Sequence, residues 1–347
     1  MFRTLTHIAL ATALLGATAI ADGRKPGSVL IYPVHRSGPE YFTVLCVTNT
    51  NTAPMTPTSL GGSTNLHFEY FNVVPNPDNP FLPLDCVVFD RVEYLTPADT
   101  LCVLTACHNA TAGGGQEGWV KVTAQAPQVF DTDWCFDFLI GSEVVVNAYG
   151  AMYSVNADPI ATIPNPVCLY EAQSGSGLLV DSYVAALNSS LALATNIPGN
   201  PYAIRHLLFS VWNDNETALS ATLAFRCWFD QPLAAISPLF TEQFLRSVTN
   251  DPEELDINCD GIGDLETGWI KIDTTDVTLP GGAIGGGMMV QAFPILNIVV
   301  NGTTVARPIV QNRDFEVLSG IISSIEATNG ARNLWITVTP QVLPPLP

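Results

Sequence analysis

Residues 118–122 of the chain are GWVKV, and residues 268–272 are GWIKI. The two segments hold two of the six tryptophans, Trp119 and Trp269, and each follows a loop that contains glycine and acidic residues. Apolar and polar residues alternate in both segments, as expected of a strand with one buried face. We therefore predict a duplicated β unit in which each of these tryptophans anchors a core.

Two further pairs of segments upstream support the duplication. Residues 42–51 (FTVLCVTNTN) match residues 207–215 (LLFSVWNDN), and residues 66–71 (LHFEYF) match residues 223–228 (LAFRCW). All three pairs follow the same order in the two halves, which is the pattern of an internal repeat.

Short runs of β-branched and aromatic residues dominate the chain, and 26 prolines and 26 glycines separate them. This pattern predicts an all-β fold of two tandem Ig-like β-sandwich domains related by internal duplication. We expect the first domain over residues 27–164, a linker over 165–178 and the second domain over 179–340. A single large sandwich or jelly roll made from both halves is the alternative.

Two segments predict particular local structures. Asn301-Gly302 lies between two apolar runs and predicts a two-residue hairpin, because both residues tolerate the positive φ that a type I′ turn requires. Residues 239–248 (LFTEQFLRSV) have apolar side chains at helical spacing and predict a short helix.

The N-terminus has the pattern of an export signal. Arg3 precedes an apolar run over residues 8–17, and Ala19-Ile20-Ala21 is a cleavage site of the small-x-small type. We predict a signal peptide over residues 1–21, with no membrane insertion after its removal. The expected location is secreted, extracellular or at the cell surface, with the periplasm as a further option.

The chain is strongly acidic, with 32 acidic residues against 13 basic ones. So few basic residues cannot neutralise a row of phosphates, which argues against nucleic acids and anionic membranes as partners. The partners that we expect are a cell-surface protein or a glycan. The acidity suits divalent cations, and a solvated acidic surface explains it equally well.

Eight cysteines in an exported chain predict disulfides. No CxxC motif occurs, so a zinc site is not expected. Cys227 and Cys259 are the two cysteines of the C-terminal half, and we predict that they pair with each other.

An acidic loop lies within a predicted insertion over residues 250–266. Residues 256–264 (DINCDGIGD) place oxygen ligands at alternate positions around a glycine, as calcium loops do, and they resemble the loops of thrombospondin type 3 repeats, dockerins and EF-hands. Thr267 stands where an EF-hand has its bidentate glutamate, which is a departure from the pattern. The alternative is an acidic surface turn. The resemblance implies Ca²⁺ as a cofactor and these ligands: Asp256, Asn258, Asp260, Ile262 through its backbone, Asp264 and Glu266.

Residues 131–137 (DTDWCFD) contain a second acidic group, Asp131, Asp133 and Asp137. It predicts a weaker cation site, a carboxylate pair for glycoside hydrolysis or a solvated turn. Trp134 and Trp212 adjoin acidic turns and are candidates for stacking on sugars. The chain has no GxSxG, HExxH or phosphate-binding loop motif.

A wider combination of segments occurs in the N-terminal half: ADGRKPGSVLIYP, VTNTN, LTPADTL and EGWV. It resembles an uncharacterised family of exported bacterial proteins, and the resemblance implies export and a β-sandwich without assigning any catalytic residue. Our leading hypothesis is a non-enzymatic structural or adhesive protein. The alternatives are a secreted carbohydrate-binding module and a secreted hydrolase acting on polysaccharide.

Overall fold

In the computed structural model of the protein, the described residues form mostly β-strands in several antiparallel sheets, which confirms the predicted all-β class. The residues that the structure describes are 25–56, 59–109, 116–127, 129, 131–148, 152–164, 168–170, 176–185, 189–197, 200, 202–213, 218–248, 256, 259–261, 263, 266–278, 295–300, 303–308, 317–324 and 333–337. The predicted signal peptide over residues 1–21 lies outside these ranges.

The N-terminal half contributes eleven strands and one short helix to the described structure. They are β1 (Val29–Ser37), β2 (Tyr41–Asn49), β3 (Thr64–Val74), β4 (Asp85–Leu95), β5 (Thr100–Leu104), α1 (Thr105–His108), β6 (Gln116–Gln125), β7 (Leu139–Asn147), β8 (Met152–Asn156), β9 (Asp158–Ile160), β10 (Thr162–Pro164) and β11 (Cys168–Tyr170).

The C-terminal half contributes ten strands and two short helices, with a single 3₁₀ turn at Pro238–Phe240. The other elements are β12 (Ser176–Val184), β13 (Ser189–Asn196), β14 (Ile204–Asn213), β15 (Ala218–Phe225), β16 (Trp228–Pro232), α2 (Leu233–Ile236), α3 (Glu242–Val248), β17 (Thr267–Thr278), β18 (Ile295–Val300), β19 (Thr303–Pro308), β20 (Val317–Ser324) and β21 (Asn333–Thr337).

Four of the sheets form the body of the molecule. In each, neighbouring strands are antiparallel. Sheet 1 has the order β5-β2-β7-β8, sheet 2 has β4-β3-β6-β1-β9, sheet 3 has β16-β13-β20, and sheet 4 has β15-β14-β17-β12-β21. Two small sheets pair β10 with β11 and β18 with β19. The β18–β19 pair confirms the predicted hairpin strands, and the Asn301-Gly302 turn itself lies outside the described residues.

Sheets 2 and 4 correspond strand by strand. In the order of the chain, β1, β3, β4, β6 and β9 take the places in sheet 2 that β12, β14, β15, β17 and β21 take in sheet 4. Lys121 lies opposite Ile31 and Lys271 opposite Leu179. Both central pairs also shift register at the matching point, between Tyr32 and His35 and between Val180 and Tyr183.

The sheet positions correct the alignment of the two upstream segment pairs. β14, which contains most of residues 207–215, lies in sheet 4 at the position that β3 has in sheet 2, whereas residues 42–51 belong to β2 in sheet 1. Residues 66–71 lie in β3 and residues 223–225 in β15, which again differ by one strand. Similar alternation in neighbouring strands produced these shifted matches, while the GWVKV and GWIKI strands do occupy equivalent positions.

The four sheets stack face to face in the order 1, 2, 3, 4. Leu45 of sheet 1 belongs to one buried cluster with Phe68 of sheet 2. On the other side of sheet 2, Ile31 packs in a cluster with Ala192 of sheet 3, and Leu193 of sheet 3 packs in a cluster with Phe209 of sheet 4. Sheets 2 and 3 are therefore covered on both faces, and β1 is accordingly buried along almost its whole length.

Polar and covalent links cross the boundary between sheets 2 and 3. The Trp228 indole N–H donates to the Pro33 carbonyl at 2.8 Å, and Arg36 forms an ion pair with Asp230. A disulfide joins Cys86, in β4, to the residue that precedes β16. Residues 165–178, where we expect the linker, include β11 and the first residues of β12.

That disulfide corrects the predicted partner of Cys227, which bonds with Cys86 rather than with Cys259. The prediction assumed that each disulfide stays within one half of the chain. That assumption is wrong here, because the face-to-face packing of the halves brings cysteines of both halves together. Two further bridges join Cys46 to Cys102 and Cys135 to Cys168. The two remaining cysteines, Cys107 and Cys259, are free and exposed.

The helical content of the described residues is small. The predicted helix over residues 239–248 is present as the 3₁₀ turn and α3, with Leu245 buried. In the part of the chain that the structure describes, no helix combines the length and apolar character needed to cross a membrane.

Candidate functional surfaces

Asp133 and Asp137, two members of the predicted acidic group, hold loops in place. Asp133 is buried and accepts hydrogen bonds from the Gln125 amide at 3.1 Å and the Tyr170 hydroxyl at 3.2 Å. Asp137 accepts from the Ser28 hydroxyl at 2.9 Å and from the Thr162 backbone N–H and hydroxyl at 2.9 and 2.7 Å. These bonds fix β10 and β11 against sheet 2.

Asp131, the third member, is exposed and has a positive φ of 51°. The Gln125 amide that binds Asp133 also lies 3.4 Å from an Asp131 carboxylate oxygen. The structure therefore brings Asp131 and Asp133 together around one amide donor, whereas Asp137 faces Ser28 and Thr162. A positive φ is tolerated better by aspartate than by most residues with side chains, so Asp131 suits this turn.

Trp134 is not a surface residue, which corrects its prediction as a sugar-stacking candidate. It is only 2% exposed, its ring stacks on Phe136 with centroids 5.3 Å apart, and its indole N–H donates to the Thr64 hydroxyl at 3.2 Å. The neighbouring Asp133 points inward and bonds with Gln125 and Tyr170, so this part of the loop lies against the core together with the tryptophan.

The two repeated tryptophans have different surroundings. Trp119 stacks on Phe71 at 3.8 Å and is fully buried beneath sheet 3. Trp269 stacks on Trp212 at 3.9 Å, in the matching register, and remains 38% exposed. The prediction of a core anchor is therefore right for Trp119 and wrong for Trp269, while Trp212 is half-buried beside it.

The structure describes half of the predicted calcium ligands: Asp256, Asp260 and Glu266. The Asp256 carboxylate accepts backbone N–H bonds from Cys259 at 2.5 Å and Gly261 at 2.8 Å, and so closes a tight turn. Glu266 is buried and Asp260 is exposed. Across the described residues, no three His, Cys, Asp or Glu side chains are grouped closely enough to hold a metal. The other predicted ligands, Asn258, Ile262 and Asp264, lie outside the described residues.

A chain of polar side chains that runs from the buried Tyr70 to the exposed Arg91 was missed by the sequence analysis. The Tyr70 hydroxyl and His108 Nδ1 are 2.7 Å apart, His108 Nε2 and Glu93 are 3.3 Å apart, and Arg91 donates to Glu93 at 2.7 Å. Burial lowers the pKa of His108 and raises that of Tyr70. Burial opposes ionisation of Glu93, but its bonds with Arg91 and His108 hold its pKa below the usual value. A hydroxyl so hard to ionise is suited to packing and hydrogen bonding rather than to nucleophilic attack.

Glu143, in β7, is a buried carboxyl group between sheets 1 and 2. Burial, reinforced by the negative charge of Asp158, raises its pKa well above the usual value. The group is consequently held in its neutral form. It was not predicted, because β7 has apolar residues on both faces, so its alternation does not indicate that the face with Glu143 and Val145 is the buried one.

The outer face of sheet 1 is apolar and open. Phe42, Leu104 and Met152 are 43%, 39% and 56% exposed. We call this the sheet-1 face, and its central residues are Phe42, Val44, Leu104, Val144, Val146 and Met152. The other outward positions are also uncharged: Cys46, Thr48, Thr100, Cys102, Ile140, Ser142, Ser154 and Asn156.

The outer face of sheet 4, at the opposite end of the stack, is open as well. The stacked pair of Trp212 and Trp269 lies on it, and Lys271 pairs with Asp273 at 2.9 Å. We call it the sheet-4 face, and its described residues at the centre are Leu208, Ser210, Trp212, Trp269 and Lys271.

Two cavities among the described residues are small. A crevice of about 190 Å³ lies at the boundary of the two halves, with Glu117, Trp228 and Asp230 on its walls. A second cavity of about 270 Å³ lies beside the helices of the C-terminal half, between Ala185 and Phe240. The Asp230 carboxylate on the first wall is already paired with Arg36.

Comparisons of the chain with protein-family models, with curated proteins and with solved structures found no match. The resemblance to exported bacterial proteins and the resemblance of residues 256–264 to calcium loops therefore stay predictions.

Proposed function

We propose that the protein is an exported, non-enzymatic structural or adhesive protein that acts through its open sheet faces. The observation that carries this proposal is the sheet-1 face, an uncharged and largely apolar surface on a chain with a net charge of −19. An extended apolar face on a water-soluble body is typical of an interaction surface. The three disulfides fit a non-reducing environment.

The duplicated architecture belongs to the same proposal. Sheets 1 and 2 would form one Ig-like unit, and sheets 3 and 4 a second unit derived from it by duplication. The identical strand order of sheets 2 and 4, and the matching register shifts, support this interpretation. Fold alone would not assign a function, so the proposal depends on the faces that the two units leave open.

The surroundings of Asp133 and Asp137, two of the three carboxylates predicted as candidates for glycoside hydrolysis, support a non-enzymatic function. Each of Asp133 and Asp137 accepts hydrogen bonds from neighbouring strands and loops, and these bonds account for their presence without a substrate. A glycosidase needs one carboxyl group to protonate the leaving oxygen and a second to act on the opposite side of the sugar. Polysaccharide hydrolysis by the purified protein that is lost in Asp133→Asn would contradict the proposal.

The test in the producing cell is retention at the surface. We expect the wild-type protein in the cell-associated or matrix fraction, and the variant Phe42→Glu/Val144→Glu folded but released to the medium. Val92→Glu is the matched control, because Val92 is 45% exposed on β4 and lies outside both faces. Equal retention of the wild type and the double variant would contradict a function carried by the sheet-1 face.

Carbohydrate binding is the second candidate function, and the half-open Trp212–Trp269 pair favours it. Indole rings on a flat, exposed sheet are suited to stacking on sugar rings, and a glycan array is the direct test. We expect Trp269→Ala to abolish any glycan binding while Trp119→Phe leaves it intact. An array without a bound glycan would remove this candidate.

We also propose Ca²⁺ as a ligand of the loop that contains Asp256. The turn closed by this carboxylate holds Asp256 and Asp260 within one short segment, and Gly261 has a φ of 85°, which a residue with a side chain rarely adopts. A bound cation would offset the repulsion between acidic side chains and stabilise the loop by linkage.

A further inference from the structure

The boundary between sheets 2 and 3 is a contact between two kinds of sheet face. Sheet 2 contributes the stacked pair of Phe71 and Trp119, and sheet 3 contributes Ala194 and Trp228. This contact buries Trp119 completely. In this contact, the tryptophan-bearing face of a five-stranded sheet packs against the face of sheet 3 that contains Ala194 and Trp228.

Among the described residues, no further sheet covers the two ends of the stack, which present the same two kinds of face. Sheet 4 matches sheet 2 strand by strand, and the exposed Trp212–Trp269 pair takes the place of Phe71 and Trp119. Sheet 1 matches sheet 3, because β2 lies between β5 and β7 just as β13 lies between β16 and β20. The sheet-1 face is thus the counterpart of the surface that covers Trp119.

We propose that a second copy of this chain is the partner, with the sheet-4 face of one copy packed on the sheet-1 face of the next. The contact would repeat between molecules the one that sheets 2 and 3 make within a molecule. This inference rests on the proposed structural function and names its partner.

The geometry makes the assembly open-ended. The two faces differ and lie at opposite ends of the stack, so each added copy presents a new free face. A head-to-tail contact of this kind gives an open filament unless the rotation between successive copies closes the assembly into a ring. Packed sheets lie about 10 Å apart, so four layers give an axial repeat of about 40 Å per copy.

The charge distribution favours these two faces over the rest of the surface. With a net charge of −19, two copies repel each other across most orientations. The sheet-1 face has no charged residue among its outward positions, and on the sheet-4 face Lys271 and Asp273 neutralise each other. The end-to-end contact therefore brings an uncharged face onto the neutralised Lys271–Asp273 pair and covers the exposed indole pair.

Sedimentation velocity and negative-stain microscopy of the purified, disulfide-intact protein test the inference. We expect the wild type to form a concentration-dependent series of oligomers and thin filaments with a repeat of about 40 Å. Phe42→Glu blocks one end, and Trp269→Glu, with Ser210→Glu as a second variant of the same face, blocks the other. Each of these variants alone should be monomeric, with circular dichroism unchanged, whereas Val92→Glu should assemble like the wild type.

Mixing the blocked variants separates this arrangement from a symmetric one. Phe42→Glu retains its sheet-4 face and Trp269→Glu retains its sheet-1 face, so an equimolar mixture should form a 1:1 dimer that does not grow. A symmetric dimer through the sheet-1 face would persist in Trp269→Glu alone, and that result would overturn the inference.

A wild-type protein that stays monomeric up to millimolar concentration would also overturn the inference. If surface retention still depended on Phe42 and Val144 in that case, the proposed function would survive with a different partner. If the monomer instead bound glycans through Trp269, the sheet-4 face would be a carbohydrate surface.

Discussion

Trp119 and Trp269 offer a matched pair of substitutions that tests the stacking of the sheets. The two residues occupy the same place in the repeat and each stacks on a ring of the neighbouring strand. Among the described sheets, one packs above Trp119 and none packs above Trp269. Replacing each with alanine removes the same atoms from two different environments.

The expected losses follow from burial. A tryptophan side chain buries roughly 200 Å², which at about 25 cal/mol per Å² is worth about 5 kcal/mol as an upper value. Trp269 remains 38% exposed, which reduces the same figure to about 3 kcal/mol. Trp119→Ala also leaves a cavity, whereas water replaces Trp269. We expect Trp119→Ala to lower the free energy of unfolding by about 4 kcal/mol and Trp269→Ala by about 2 kcal/mol.

Urea unfolding followed by far-ultraviolet circular dichroism measures both losses. Low protein concentration keeps self-association from adding to the stability. Equal losses at the two positions, or a larger loss at Trp269, would refute the placement of sheet 3 over Trp119.

Three further predictions concern acidic residues. Glu143→Gln should stabilise the protein at pH 7. The raised pKa of Glu143 means that its favourable contribution is complete below about pH 4.5 and falls by about 1.4 kcal/mol per pH unit above it, so the variant should flatten this slope in unfolding titrations. Asp137→Ala should cost about 2 kcal/mol in urea unfolding, because three donors lose their acceptor; an unchanged midpoint would contradict this role. Millimolar Ca²⁺ should raise the melting temperature, and Asp260→Ala should abolish the rise; a melting curve insensitive to calcium would exclude the site.

Local patterns made the strands predictable. The alternation in residues 118–122 and 268–272 gave the two central strands, and their shared lysine register follows from the same pattern. The all-β class and the presence of disulfides follow likewise from composition and cysteine number. Alternation is a property of residues close together in the chain, and composition and cysteine number are counts, so the sequence contains this information directly.

The environment of those strands was not predictable, because it depends on which sheet packs above them. GWVKV and GWIKI have the same alternation, yet only the first is covered on both faces. The partner of Cys227 could not be chosen without knowing that sheets 2 and 3 pack together. Residues 133 and 134 were predicted in a surface turn, but Asp133 bonds with Gln125 and Tyr170, and Trp134 is buried against Phe136.

Peptide mapping of the unreduced protein by mass spectrometry tests the packing of sheet 2 on sheet 3 most directly. We expect a disulfide-linked peptide pair containing Cys86 and Cys227, with Cys259 recovered as a free thiol. A peptide pair that joins Cys227 to Cys259 would contradict the face-to-face stacking of the two halves.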